Sequence, residues 1–247
     1  MRSGLAAIAL APLLLAQGRY VRCVTPRLPE PTGARHGTVG EGEPLRLLIA
    51  GDSSAAGVGA ETQQSALSGQ VAASLARHFQ VSWRLVARTG RDVQDVLESL
   101  AATPAEAFDV ALVAVGVNDV TGGTSLARWR TRLTQLCECL QSRFSVRRVL
   151  LTPVPPMHAF PALPQPLRWY LGKRAASMNE TMQAVTAQSR DWECIEPAFP
   201  LIDAFMASDG FHPSPAAYSV WAGTMARTIR EKCRGHAQQG DTVEHSG

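Results

Sequence analysis

From residue 45 onward, short apolar runs alternate with amphipathic stretches. Leu45–Ala50 reads Leu-Arg-Leu-Leu-Ile-Ala and predicts a strand. Leu67, Val71, Leu75 and Phe79 then recur at helical spacing, and Val81–Ala87 predicts a second strand. Val93–Leu100 reads as a short helix and Val110–Val115 as a third strand. The clearest helix follows, because Leu126, Trp129, Leu133, Leu136, Cys137, Leu140 and Phe144 trace one face at three- and four-residue steps. Arg148–Thr152 is the fourth strand, and it enters a proline-rich loop, Pro153–Pro166. A helix fills much of Leu167–Arg190, and Cys194–Glu196 is a short fifth strand. Ser214-Pro215 opens the last helix, to about Arg234, since serine caps and proline tolerates the first helical position.

Strands that alternate with helices predict an α/β fold, its parallel sheet of about five strands covered on both faces. In such sheets ligands gather at the carboxyl ends of the strands. The chain divides on this reading into an apolar segment and linker (1–44), one domain (45–235) and a polar tail (236–247). Residues Pro26–Pro44, rich in proline, glycine and charge, read as the linker. The length suits one large domain with a well-buried core.

Composition narrows the function classes. The net charge is only +3, and the 24 basic residues, lysine only at 173 and 232, are spread along the chain. A nucleic-acid partner is therefore not expected. Five cysteines (Cys23, Cys137, Cys139, Cys194, Cys233) contain no C-x-x-C and make a poor disulfide framework and a poor zinc site. No pair of histidines has ligand spacing, so no metal is expected. At the N-terminus, Leu5–Ala16 carries no charge, and Arg19, Arg22 and Arg27 follow it. The run is short for a membrane span. It fits either the core of a secretory signal or a helix lying at a membrane surface with its arginines on lipid head groups. Export and surface association remain equal readings.

The candidate chemistry lies at the predicted strand ends. Ser53 follows the first strand within Gly51-Asp52-Ser53-Ser54, Gly90 follows the second, and Asn118 follows the third in Gly116-Val117-Asn118-Asp119. Asp209 and His212 stand three residues apart in Asp209-Gly210-Phe211-His212-Pro213. A serine needs a base to become a nucleophile, and the base needs a group to orient it. His212 alone of the six histidines has a carboxylate three residues before it and a proline after it. Asn118 and the backbone N–H groups of Gly90 and Ser53 would supply donors to an oxyanion. Asp52 reads as a turn-stabilising carboxylate rather than as the acid of a triad.

These four blocks, in this order, resemble the signature blocks of the SGNH (GDSL-type) hydrolase family and span almost the whole domain. The resemblance implies a flavodoxin-like three-layer α/β/α sandwich. It also implies esterase, lipase or thioesterase activity on an acyl ester, without a cofactor. Carried over residue by residue, Ser53 is the nucleophile, His212 the base and Asp209 its orienting acid. Ser53, Gly90 and Asn118 form the oxyanion hole.

Three rivals stand beside that reading. An α/β-hydrolase proper would need a G-x-S-x-G elbow, which the sequence lacks. A flavodoxin-like ligand-binding or cell-envelope module would leave His212 idle. A carbohydrate O-acetylesterase of the same fold differs only in substrate. The apolar residues of the proline-rich loop (Met157, Phe160, Leu163, Leu167), with Trp169 and Tyr170 beside it, suit either an acyl-chain surface or a crossover packed on the sheet.

Overall fold

The computed structural model describes residues 2–197 and 203–240. Six strands form one sheet: β1 (His36–Val39), β2 (Glu43–Gly51), β3 (Phe79–Ala87), β4 (Val110–Ala114), β5 (Arg148–Thr152) and β6 (Trp192–Cys194). Their spatial order is β1-β3-β2-β4-β5-β6. The five strands from β3 to β6 are parallel, as the alternating pattern predicts, and β1 lies antiparallel on β3.

The helices are α1 (Arg2–Val24), α2 (Ser53–Ala56), α3 (Leu67–Leu75), α4 (Val93–Ala102), α5 (Val117–Gly122), α6 (Leu126–Phe144), α7 (Leu167–Thr186) and α8 (Pro215–Gly240). Side-chain alternation along β2 shows how they sandwich the sheet. Leu48 and Ala50 pack with α4, α6 and α7, whereas Leu47 and Ile49 pack with α3 and α8. All four are fully buried, which is why the strand reads as a continuous apolar run. Local chemistry marks the helix starts. Asp92 and Asp95 form a reciprocal capping box at α4, and Ser125 accepts the Arg128 N–H at α6.

Several segments differ from their expected form. Phe79, expected on a helix face with Leu67, Val71 and Leu75, opens β3 instead, because α3 ends at Leu75, and the short strand expected at Cys194–Glu196 spans Trp192–Cys194. Pro26–Pro44, expected as a linker, supplies β1 and the start of β2. β1 is four residues long and mostly exposed, with no apolar run, so its register comes from β3 (His36 opposite Arg84, Val39 opposite Val81). The final helix continues past Arg234 to Gly240, through part of the expected polar tail. The rest of that tail, 241–247, lies outside the described residues.

The N-terminal apolar segment is a helix docked on the domain. Leu14 and Val21 of α1 are buried in the core shared with α7. Gln17 donates to the Gln165 carbonyl at 2.7 Å and accepts the Leu167 N–H at 3.1 Å. Burying two such side chains contributes roughly 3 kcal/mol or more.

Candidate active site

β2 delivers the candidate serine. It ends at Gly51, where an added Cβ would sit 1.9 Å from the Ala114 carbonyl oxygen, so only glycine lets β2 and β4 approach at the turn. The Asp52 N–H donates to that same carbonyl at 3.0 Å, and the chain then turns into α2 at Ser53. Asp52 Oδ1 accepts the Ser54 N–H at 2.9 Å and the Ser54 hydroxyl at 2.8 Å. Asp52 thus caps the turn, as expected, and Ser54 is spent on it. Burial pushes the Asp52 carboxyl above the usual range, against the bonds from Ser54.

The loop before α8 brings the base to the serine. His212 Nε2 lies 2.9 Å from Ser53 Oγ, and His212 Nδ1 lies 2.6 Å from Asp209 Oδ2. Asp209 Oδ1 accepts the backbone N–H groups of Phe211 and His212, each at 3.0 Å. Burial alone would raise the Asp209 carboxyl, but the His212 ring and these two N–H groups hold it below the usual range. It therefore stays a carboxylate and accepts from Nδ1–H, which leaves Nε2 free to accept the Ser53 proton. The loop is pinned at its base by Ala207 N–H to the His212 carbonyl, 2.8 Å, and Ser214 N–H to the Phe205 carbonyl, 3.0 Å.

The donor candidates sit on the neighbouring strand ends. Gly90 adopts φ +83°, a left-handed conformation that favours glycine, in the turn after β3. Asn118 lies at the start of α5, and its side-chain amide donates to the Arg91 carbonyl at 2.9 Å. That bond ties Asn118 to the Gly90 turn and leaves one amide hydrogen over. Among the described residues, the Ser53 and Gly90 N–H groups donate to no other residue.

Two carboxylates that the motif reading assigned no catalytic part hold these turns. Asp119 is fully buried and accepts the Val93 N–H at 3.0 Å, so it fixes the start of α4 just after the Gly90 turn. Burial pushes its carboxyl up to about 7, opposed by the Val93 bond and reinforced by Asp92 and Asp52. Glu30 accepts the Thr89 N–H at 2.6 Å and the Thr89 hydroxyl at 2.8 Å, and it pairs with Arg35 at 3.0 Å. Burial would raise Glu30, but the bonds from Thr89 and Arg35 hold it below its usual value.

A cavity of about 140 Å³ opens beside Ser53 and His212. Its walls include Val115, Val154, Phe160, Met206 and Phe211. Phe160 and Phe211 meet edge to face with centroids 5.1 Å apart. The proline-rich loop is divided between the cavity and the core. Pro153–Pro156 and Phe160 wall the cavity, whereas Met157, Leu163 and Leu167 pack into the core. Trp169 and Tyr170 do not line it; Lys173 lies over the Trp169 ring and Arg174 over Tyr170. Gly90 and Asn118 lie outside the cavity lining too.

Comparison with known proteins gives a family and a fold. The family model described as GDSL-like lipase/acylhydrolase matches residues 49–220, from inside β2 to inside α8. A GDSL-like esterase of Mycobacterium tuberculosis is 25% identical over 198 residues, 76% of this chain and 62% of that protein. A lipase/acylhydrolase of Enterococcus faecalis shares the fold at a TM-score of 0.58 and 21% identity, over 76% of this chain and 96% of its own. The esterase EstA of a Pseudoalteromonas species, in a structure inhibited by monoethylphosphonate, superposes at 0.57 and 17% identity, over 76% and 98%.

Proposed function

The chain belongs to the GDSL-like lipase/acylhydrolase family, and from that premise we propose that it is a serine esterase that cleaves carboxylic esters through an acyl-enzyme on Ser53. The observation that carries the reading is the pair of contacts at His212, 2.9 Å to Ser53 Oγ and 2.6 Å to Asp209. In this reaction His212 Nε2 takes the hydroxyl proton as Ser53 Oγ bonds to the substrate carbonyl carbon. The resulting oxyanion accepts from the Ser53 and Gly90 N–H groups and the free amide hydrogen of Asn118. Collapse breaks the ester C–O bond, and the leaving alcohol departs with the proton from His212. Water, deprotonated by the same nitrogen, then releases the acid. Asp209 holds the ring in the required tautomer throughout and stabilises its charged form.

The cavity supports a short acyl chain. An apolar cavity of about 150 Å³ takes a benzene-sized ligand, and this one is of that order. Labelling with a fluorophosphonate, followed by peptide mapping, tests the mechanism. The expected adduct is on Ser53, and it disappears in Ser53→Ala. An adduct on another serine, or none, overturns it.

The reading extends to where the substrate is met. Leu13, Leu15, Tyr20 and Val24 of α1 are exposed, with Arg19 and Arg22 on the same helix. No helix among the described residues is long and apolar enough to cross a membrane. Apolar side chains beside arginines instead suit the surface of an anionic bilayer, with α1 lying in its plane.

A further inference from the structure

Beyond the end of β5, one wall of the cavity is the segment Pro153-Val154-Pro155-Pro156, and all four of its residues line the cavity beside Ser53 and His212. The ladders of β5 with β4 and β6 reach no further than Thr152, so no strand pairs with this segment. Proline has no N–H, so Val154 is the one residue of the four that can donate from its backbone. Asn179, in the interior of α7, meets it with both ends of its side-chain amide. The Val154 N–H donates to Asn179 Oδ1, and Asn179 Nδ2 donates to the Val154 carbonyl, each at 2.8 Å. One side chain thus supplies the two bonds that a neighbouring strand would exchange with that residue.

The seat of Val154 is built on its other side as well. Val154 is 2% exposed, and its Cγ2 methyl lies 2.5 Å from where a Cβ on Gly116 would stand, against the residue that caps α5. The Trp129 ring lies 3.1 Å from the same point, and its indole N–H donates to the Met178 carbonyl at 3.0 Å. Consecutive residues of α7, Met178 and Asn179, therefore hold the two side chains that meet at Gly116. Asn179 does not line the cavity, so its influence on an acyl chain passes through Val154. Resting on the esterase reading, we propose that Asn179 is a positioning residue for acyl-chain selectivity, which by holding Val154 fixes the Pro153–Pro156 wall against which a short acyl chain packs. The prolines stiffen the segment, and the amide pins it at its single free N–H. Methylenes then meet a fixed apolar surface rather than one that yields.

The test uses the full chain and compares p-nitrophenyl butyrate with p-nitrophenyl acetate, which lacks the two methylenes that would lie along the wall. Asn179→Leu keeps the branched shape of the side chain and removes both bonds. Burying a methylene is worth up to roughly 4-fold. The butyrate-to-acetate ratio in kcat/KM is therefore expected to fall by roughly 3-fold or more in the variant. The ratio is internal to each protein, so a general loss of activity, or of stability as read by thermal unfolding, does not move it. Should Asn179→Leu fail to fold, Asn179→Asp is read in its place with the same direction expected, because it keeps an acceptor for the Val154 N–H and loses the donor to the carbonyl. A ratio equal to or above the parent's overturns the proposal and leaves the esterase reading intact. So does a parent that gains nothing on butyrate beyond the difference in spontaneous hydrolysis. A parent that hydrolyses neither ester and takes no fluorophosphonate on Ser53 overturns the esterase reading, and this inference with it.

Discussion

Glu30 reaches Thr89 across 59 residues of sequence and accepts both its backbone N–H, at 2.6 Å, and its hydroxyl, at 2.8 Å. Thr89 precedes Gly90, whose N–H is a proposed oxyanion donor, so a segment ahead of the first core strand sets the position of a turn at the reacting centre. Preorganised donors work because they need not move as charge develops. A carboxylate that clamps such a turn is therefore part of the positioning apparatus, although it touches no substrate.

Removing that clamp gives the first prediction. Glu30→Ala is expected to lower kcat roughly 10-fold with little change in KM, since a small misplacement of a donor is felt mainly in the transition state. Glu30→Gln, which can still accept from Thr89, is expected to recover part of the loss. Its pH behaviour follows from the lowered carboxyl. Stability from Glu30 is present above its ordinary unfolded value and is lost as pH falls through the lower folded value. Acid unfolding should therefore be gentler in slope for Glu30→Gln, as urea titrations between pH 3 and pH 6 would show.

Asn118 gives a sharper test of the oxyanion proposal. One hydrogen of its amide is held by the Arg91 carbonyl, which aims the group before substrate arrives. Asn118→Ala is expected to lower kcat by a factor on the order of 10²–10³ at nearly constant KM. A defect confined to KM would assign the amide to ground-state binding instead.

Asp119 separates stability from catalysis. Its carboxyl is raised to about 7 by burial, so the folded protein binds a proton there that the unfolded chain releases near its ordinary value. The sign follows: stability falls as pH rises between about 4 and 7, by an amount on the order of 4 kcal/mol for the whole shift, and levels off above. Asp119→Asn keeps an acceptor for the Val93 N–H and has nothing to ionise. Its unfolding free energy is expected to lose this decline, so the variant gains on the parent as pH rises from 4 to 7.

Much of the architecture is legible in the chain because the parallel strands are buried on both faces. Leu45–Ala50 lies within β2, and Arg148–Thr152 is β5 end to end, since a two-sided core demands consecutive apolar residues such as Leu47–Ala50 and Val149–Leu151. The candidate triad is legible for a related reason. Ser53 sits at the carboxyl end of a core strand, and the local turn that pairs Asp209 with His212 is encoded within four consecutive residues. β1 escapes such reading because an exposed edge strand with Gly37 inside it has no pattern of its own. Glu30 escapes it for a different reason. What it does depends on Thr89, supplied by a distant element, and nothing in the neighbouring residues announces it.

The docked helix leads to the last prediction. Leu14, Gln17 and Val21 tie α1 to the domain, so deleting Met1–Pro26 is expected to lower stability as well as to remove the exposed apolar face. Deletion therefore confounds two effects, and charge reversal separates them. Arg19→Glu with Arg22→Glu leaves Leu14, Gln17 and Val21 in place, and thermal unfolding should report a nearly unchanged Tm. Hydrolysis of soluble p-nitrophenyl butyrate should also persist, because α1 contributes no residue to the cavity lining. Binding to vesicles rich in phosphatidylserine should weaken sharply. Each arginine near an anionic surface contributes about 1 kcal/mol, and reversing its charge replaces attraction by repulsion. Raised salt should weaken the parent in the same direction, since exposed charges are screened within a Debye length of about 10 Å at 0.1 M. Equal vesicle binding by parent and variant at low salt would show that α1 does not meet the bilayer through its arginines, and the surface-association proposal would fall.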